Sequence, residues 1–291
     1  MSEMLLERPT EAPLQTETLQ KPETVDLQHA FHIAEQSVVA TMDSSEFQQL
    51  SSEWRIDPSD PLKAEFWRVV ARCGADEARE ARETGNDSLQ VDLNEIATAT
   101  PNYAFNQANL NANRFHSREA REVAKQQAGQ YNALLRSFTE KYPDANAREV
   151  YSGFANVARI CVVDKHVQTQ GLDGIWTSMR GARQEVNFEK MLAMLGEAFE
   201  RSTAEEDRKG VDYKLSKGNL RVDLKSSRND FHNYDRDADF SIENERDGQT
   251  IKVLSPISKK ELGDTMVASE AVLHEGAKTL GAMLIDIRQA A

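Results

Sequence analysis

The apolar residues of this 291-residue chain keep helical spacing for most of its length and change to strict alternation after Gly210. In the segment GVDYKLSKGNLRVDLKSS (210–227), Val211, Tyr213 and Leu215 alternate with Asp212 and Lys214. Leu220, Val222 and Leu224 alternate with Arg221, Asp223 and Lys225. A period of two describes a half-buried strand with one apolar and one charged face. Between the runs, Ser216-Lys217-Gly218-Asn219 predicts a turn, because Gly and Asn tolerate positive φ. A hairpin closing symmetrically on Lys217-Gly218 pairs residues whose numbers add to 435, which sets Asp212 directly opposite Asp223. Lys225 lies two residues along on the same face.

The rest of the chain frames this hairpin. Residues 1–27 read as a flexible tail broken by Pro9, Pro13 and Pro22. Residues 28–170 read as an all-helical region. Its stripes are Phe31, Ile33, Ala34 and Val38; Ala64, Phe66, Trp67, Val69, Val70 and Cys73; Ala120 to Leu135 within 117–139; and Val150, Phe154, Val157, Ile160 and Val163 within 146–168. The asparagine-rich stretch 99–113, with Pro101, predicts a loop or broken helix. Gln170-Gly171-Leu172-Asp173-Gly174 predicts a turn that opens a second region, 171–291. There a helix is expected at about 182–201. A strand pair is expected from Phe240 and Ile242 through Asp247-Gly248 to Ile251 and Val253, and a last helix at about 265–289 after Asp264. The expected class is α+β: a helical N-terminal region followed by a small α/β domain with a central mixed sheet flanked by helices.

Composition excludes several functions. With 39% hydrophobic and 29% charged residues the chain can build a core. No run approaches a membrane span, and no basic segment leads into an apolar run, so neither insertion nor secretion is expected. Two cysteines, Cys73 and Cys161, rule out a disulfide framework and a cysteine-based zinc site, and the simplest compartment is the cytoplasm. A net charge of −13 argues against holding nucleic acid by bulk charge. Within the acidic chain, however, 208–228 carries seven basic residues against Asp212 and Asp223.

Two carboxylates facing each other across a hairpin repel. The pairing makes sense around a divalent cation, and Mg²⁺ takes oxygen ligands, often one or two carboxylates with water and phosphate. Lys225 would then stabilise charge on a substrate phosphate or orient the nucleophile. The bland alternative is a solvent-facing charged strand, which shows the same alternation.

Asp212, ten residues, then Asp223-Leu224-Lys225, following a predicted helix, resembles the core of the PD-(D/E)xK phosphodiesterase superfamily of restriction endonucleases, junction resolvases and repair nucleases. The first aspartate there usually stands with proline, and Gly210-Val211-Asp212 is an ordinary departure. The resemblance covers about 181–255. It implies a restriction-endonuclease-like domain and Mg²⁺-dependent hydrolysis of nucleic-acid phosphodiesters, with DNA favoured and the choice between DNA and RNA left open by the sequence, and with Mn²⁺ as a substitute. It assigns Asp212 and Asp223 to the metal, Lys225 to catalysis and the Leu224 carbonyl as a further ligand. It also implies a glutamate on the preceding helix. Glu185 shares a face with Phe188, Leu192 and Leu195, and Glu189 is the reserve. Lys209, Lys217, Arg221, Ser226, Ser227 and Arg228 are candidate phosphate contacts. His232 reads as a loop residue. The helical half would serve a homodimer, a protein partner or the substrate. A different class remains open: a non-catalytic interaction or nucleic-acid-binding protein on the same scaffold.

Overall fold

The computed structural model describes residues 26–43, 63–111, 117–161, 165–203, 210–225, 239–245, 248–258 and 260–290. Seven helices and five strands are found among them. The helices are α1 (Leu27–Asp43), α2 (Lys63–Glu83), α3 (Leu89–Asn111), α4 (Arg118–Lys141), α5 (Ala147–Cys161), α6 (Lys165–Met194) and α7 (Glu270–Ala290). The strands are β1 (Phe199–Arg201), β2 (Tyr213–Leu215), β3 (Leu220–Lys225), β4 (Phe240–Glu245) and β5 (Gly248–Leu254). The protein is thus mixed α and β, mostly helical, with a small mixed sheet in the C-terminal part.

Local chemistry starts the helices where expected. Ser117 caps α4 by accepting from the Ala120 N–H at 3.1 Å. The Asn146 side chain accepts from the N–H groups of Arg148 and Glu149 at the start of α5.

Residues 99–111 of the segment expected to be a loop or broken helix are instead the second half of α3, in the buried centre of the helical region, and 112–113 lie outside the described residues. The polar side chains of α3 find partners on neighbouring helices. Thr100 Oγ1 lies 3.3 Å from Tyr131 Oη, Asn106 Nδ2 donates to Gln127 Oε1 at 2.7 Å, and Tyr103 Oη meets Ser178 Oγ at 2.6 Å. Pro101 sits within this helix. Satisfied buried polar groups outweigh the propensity of Asn and Pro against helix.

The turn expected at 170–174 is likewise helical, since α6 runs through it. Gly171 and Gly174 serve close packing. A Cβ on Gly171 would stand 2.6 Å from Ala104 Cβ, and one on Gly174 2.6 Å from Gln107 Cγ. The glycines let α6 lie against α3.

The strand order is β1-β2-β3-β5-β4, with β3 and β5 parallel and all other pairs antiparallel. The expected helix at 182–201 ends at Met194, and Phe199 belongs to β1. The expected strand pair exists, with Glu245 paired to Gly248 at its tip. The last helix begins at Glu270 rather than near 265. Residues before it are tied to the helical region by an Asn146–Thr265 bridge.

Two apolar cores result, and α6 enters both. Ile175, Met179 and Ala182 pack in the helical core, whereas Val186, Phe188, Met191 and Leu192 pack beneath the sheet. α7 joins the latter through Leu280, Leu284 and Ile287, against Tyr213, Leu215, Leu220, Val222, Ile251 and Val253. Among the described residues, both helices cover the same apolar face of the sheet. The opposite face carries Lys214, Arg221, Asp223, Lys225 and Lys252. No helix is long and apolar enough to cross a membrane among the described residues.

Candidate functional site

The hairpin has the expected register over β2, where Tyr213 pairs with Val222, Lys214 with Arg221 and Leu215 with Leu220. The turn uses Gly218 at φ +88 and Asn219 at φ +49. At Asp212 the simple ladder stops. Its N–H donates to the Val222 carbonyl at 2.8 Å, so Val222 faces both Asp212 and Tyr213. Two residues against one is a β-bulge, which re-aims side chains and is common beside active sites. Asp212 is held from the other side too, its carbonyl accepting from the Ser202 N–H at 3.0 Å. The direct opposition of Asp212 and Asp223 expected from an unbroken hairpin is therefore corrected.

The bulge turns the Asp212 carboxylate onto the end of β3, where Oδ2 accepts from the Leu224 N–H at 2.6 Å. A strand residue's N–H and C=O project toward the same side, so the Leu224 carbonyl faces the Asp212 side of β3 as well. Asp223, only 4% exposed, places Oδ1 2.6 Å from Lys225 Nζ. Gly210, at φ +77, brings its backbone over the same carboxylate, since a Cβ there would stand 3.5 Å from Asp223 Oδ2. In parallel register with Asp223 lies Lys252, which pairs in turn with Ser241 on β4. The structure thus gathers Asp212, Asp223, Leu224 and Lys225 at one end of β3.

The glutamates of α6 are held elsewhere. Arg136 of α4 donates from Nη1 to Glu185 at 2.8 Å and from Nη2 to Glu189. Arg201 of β1 reaches Glu189 at 2.7 Å and Glu140 at 2.5 Å. Both candidates for the helical ligand are therefore in an arginine network. Among the described residues, no group of three or more His, Cys, Asp or Glu side chains is placed to hold a metal ion. Tyr213 links the two sets of charges. Its hydroxyl lies 3.5 Å from Arg136 Nη2 and donates to the Glu185 carbonyl at 3.5 Å. Burial raises its pKa first, and the nearby Glu185 and Asp212 charges raise it further, while Arg136 opposes them.

Of the candidate phosphate contacts, Arg221 lies on the polar face of β3. Lys217 lies in the turn at the other end of the hairpin, 3.7 Å from Glu197. Lys209, Ser226, Ser227, Arg228 and His232 lie outside the described residues. Sequence reasoning missed Arg136, whose partners on α6 are distant in the chain, and Arg201, which itself lies on the unrecognised β1. Gly210 carried a usable signal, a glycine two residues before the first aspartate.

Compared with known proteins, the chain matches no family model, no curated protein and no solved structure.

Proposed function

We propose that the protein is a metal-dependent phosphodiesterase of the PD-(D/E)xK, restriction-endonuclease-like type, acting on nucleic acid and more specifically on DNA. The observation that carries this reading is the joint anchoring of both aspartates and the lysine on Asp223-Leu224-Lys225. Asp212 takes the Leu224 N–H at 2.6 Å, and Lys225 takes Asp223 at 2.6 Å.

The donor set fits a hard cation. Asp212, Asp223 and the Leu224 carbonyl offer only oxygen, as Mg²⁺ and Mn²⁺ prefer, with Glu185 as a fourth candidate. The cation, when bound, would supply charge neutralisation and a more acidic water. Lys225 orients Asp223 and presents an ammonium to charge developing on a phosphate. The bulge at Asp212 keeps its carboxylate at the end of β3, on the N–H of Leu224, which stands between Asp223 and Lys225 in sequence. Arg221 contributes a further cation on that face. Cys73 and Cys161 are not joined in a disulfide, which suits a reducing compartment such as the cytoplasm.

Incubation with plasmid and Mg²⁺ or Mn²⁺ tests the proposal. Cleavage is expected, and both Asp223→Ala and Lys225→Ala should lower it by about a hundredfold or more while the fold is retained. No metal-dependent cleavage of duplex, single-stranded or branched substrates would overturn it. One observation favours a second reading, a non-catalytic interaction or binding protein on this scaffold: Glu185 and Glu189 both pair with Arg136. On that reading the helical region would recruit a protein partner or a second copy.

A further inference from the structure

Arg183 and Asn187, 5% and 1% exposed, stand one turn apart on α6, where its stripe in the helical core gives way to its stripe beneath the sheet. Both hold the segment 262–268 that leads into α7. Arg183 donates from Nε to the Met266 carbonyl at 3.4 Å, and from Nη2 to those of Leu262, Gly263 and Thr265 at 3.2, 2.9 and 2.6 Å. Asn187 accepts from the Ala268 N–H at 2.9 Å and donates to the Arg183 carbonyl at 2.6 Å. The segment turns irregularly, with Gly263 at φ +64, and carbonyls buried in such a turn need donors from elsewhere. A guanidinium, with five N–H donors in a fixed fork and no acceptor, suits that task. Its charge is met by carbonyl dipoles. Burial lowers the Arg183 pKa, and the charge of Asp264, which pairs with Arg148 at 3.1 Å, opposes this. The segment also belongs to both cores. Met266 packs in the helical one, whereas Leu262, Val267 and Ala268 pack beneath the sheet. Its backbone is tied to the link between α4 and α5. The Met266 and Val267 N–H groups donate to the Ala145 and Pro143 carbonyls, both at 2.9 Å, and the Asp264 carbonyl accepts from the Ala147 N–H at 2.7 Å.

We propose that the segment 262–268 is a clasp, with Arg183 as its pin, that makes the helical region and the sheet region open as one cooperative unit. α7 lies under the sheet and starts from this clasp, so it cannot leave the sheet without stripping four carbonyls from a buried guanidinium. A ligand that binds either region and not the unfolded chain therefore protects both. The clasp does not depend on the nuclease reading, since none of its residues belongs to the candidate cation site.

Hydrogen exchange of the full chain, read peptide by peptide by mass spectrometry, tests this. In the unaltered protein the slowest amides of α3, β3, β5 and α7 should share one opening step. Arg183→Ala should speed exchange in β3, β5 and α7 by about tenfold or more, the scale of buried hydrogen bonds to a charged donor, and change α3 far less. Millimolar guanidinium chloride should slow the variant's exchange again, because the emptied socket keeps its carbonyls, and sodium chloride at the same concentration should not. Arg183→Lys keeps the charge and loses the fork, and it should show the same regional pattern to a smaller degree. Exchange that speeds equally in α3 and α7 would make Arg183 an ordinary contributor to global stability, and it overturns the clasp. Unchanged exchange everywhere, or a loss that guanidinium does not reverse, overturns it as well. An Arg183→Ala chain that folds only with guanidinium present supports it. Failure of both variants to fold even then counts against it, since the helical region should stand without its pin.

Discussion

Replacing Lys225 by methionine should destabilise the protein more than replacing Asp223 by asparagine, although the two side chains form one ion pair. Asp223 is 4% exposed, whereas the Lys225 side chain keeps 25% of its surface in water. Lys225→Met takes a cation from beside a shielded carboxylate. Asp223→Asn removes the shielded charge and lets the ammonium turn outward. Breaking a fully buried pair costs about 3–5 kcal/mol. Lysine's partial exposure reduces this to about 2 kcal/mol for K225M, against about 1 kcal/mol or less for D223N. Urea unfolding followed by circular dichroism reads both values, and D223N/K225M should recover part of the K225M loss. Adding Mn²⁺ sharpens the test. A cation at a hundred times its dissociation constant stabilises the native state by about 2.7 kcal/mol. K225M should gain at least as much as the unaltered protein, and D223N should gain little. The reasoning fails if D223N is the more damaging change without metal, or if Mn²⁺ stabilises D223N as much as the unaltered chain.

Two further outcomes follow from other parts of the fold. The Arg288 hydrogen bonds, at 3.1 and 2.8 Å, hold the Glu197 carboxyl below its ordinary value of 4.5. That pair's stability is full above pH 4.5 and is lost as the pH falls through the lower native value. Glu197→Gln should therefore flatten the acid limb of a stability–pH profile and leave its shape near neutrality unchanged, as thermal melts across pH would show. Gly171→Val should lower the unfolding free energy by about 1–3 kcal/mol, since its Cβ would meet Ala104 Cβ at 2.6 Å. Gly181→Ala, with nothing within 4 Å, should be neutral or slightly stabilising on the same urea axis.

What the sequence reveals here is whatever local periodicity decides. The β2–β3 hairpin, the β4–β5 pair and helices α4 and α5 each carry their own apolar repeat and turn or cap residues, and each could be placed without knowing its neighbours. α3 could not, because Asn102, Asn106 and Thr100 read as loop residues until Gln127 and Tyr131 are brought beside them. Gly171 and Gly174 signal a turn in a chain considered alone and a close helix crossing once Ala104 and Gln107 are opposite. β1 has three residues, too few to show a period. At the candidate site the same division holds. Asp223 and Lys225 share a strand, and their common face follows from spacing. Asp212 sits between two neighbouring strands, and its bulge depends on Ser202 from one and Val222 from the other. Glu185 meets a partner 49 residues away.

The continuity of α6 decides how the two halves can influence each other. A boundary near residue 170 would fall inside a 30-residue helix, which rises about 1.5 Å per residue and does not hinge without a break. Its first part is clamped in the helical core by Ile175 and Met179, and its last part under the sheet by Phe188 and Leu192. Between them Arg183, 5% exposed, donates to the carbonyls of Leu262, Gly263, Thr265 and Met266, pinning the segment that leads into α7. A rotation of α6 imposed from the helical side would therefore move Glu185 and the loop before α7 together. The Arg136–Glu185 contact lies where those two parts of the helix meet and ties α4 to α6 there.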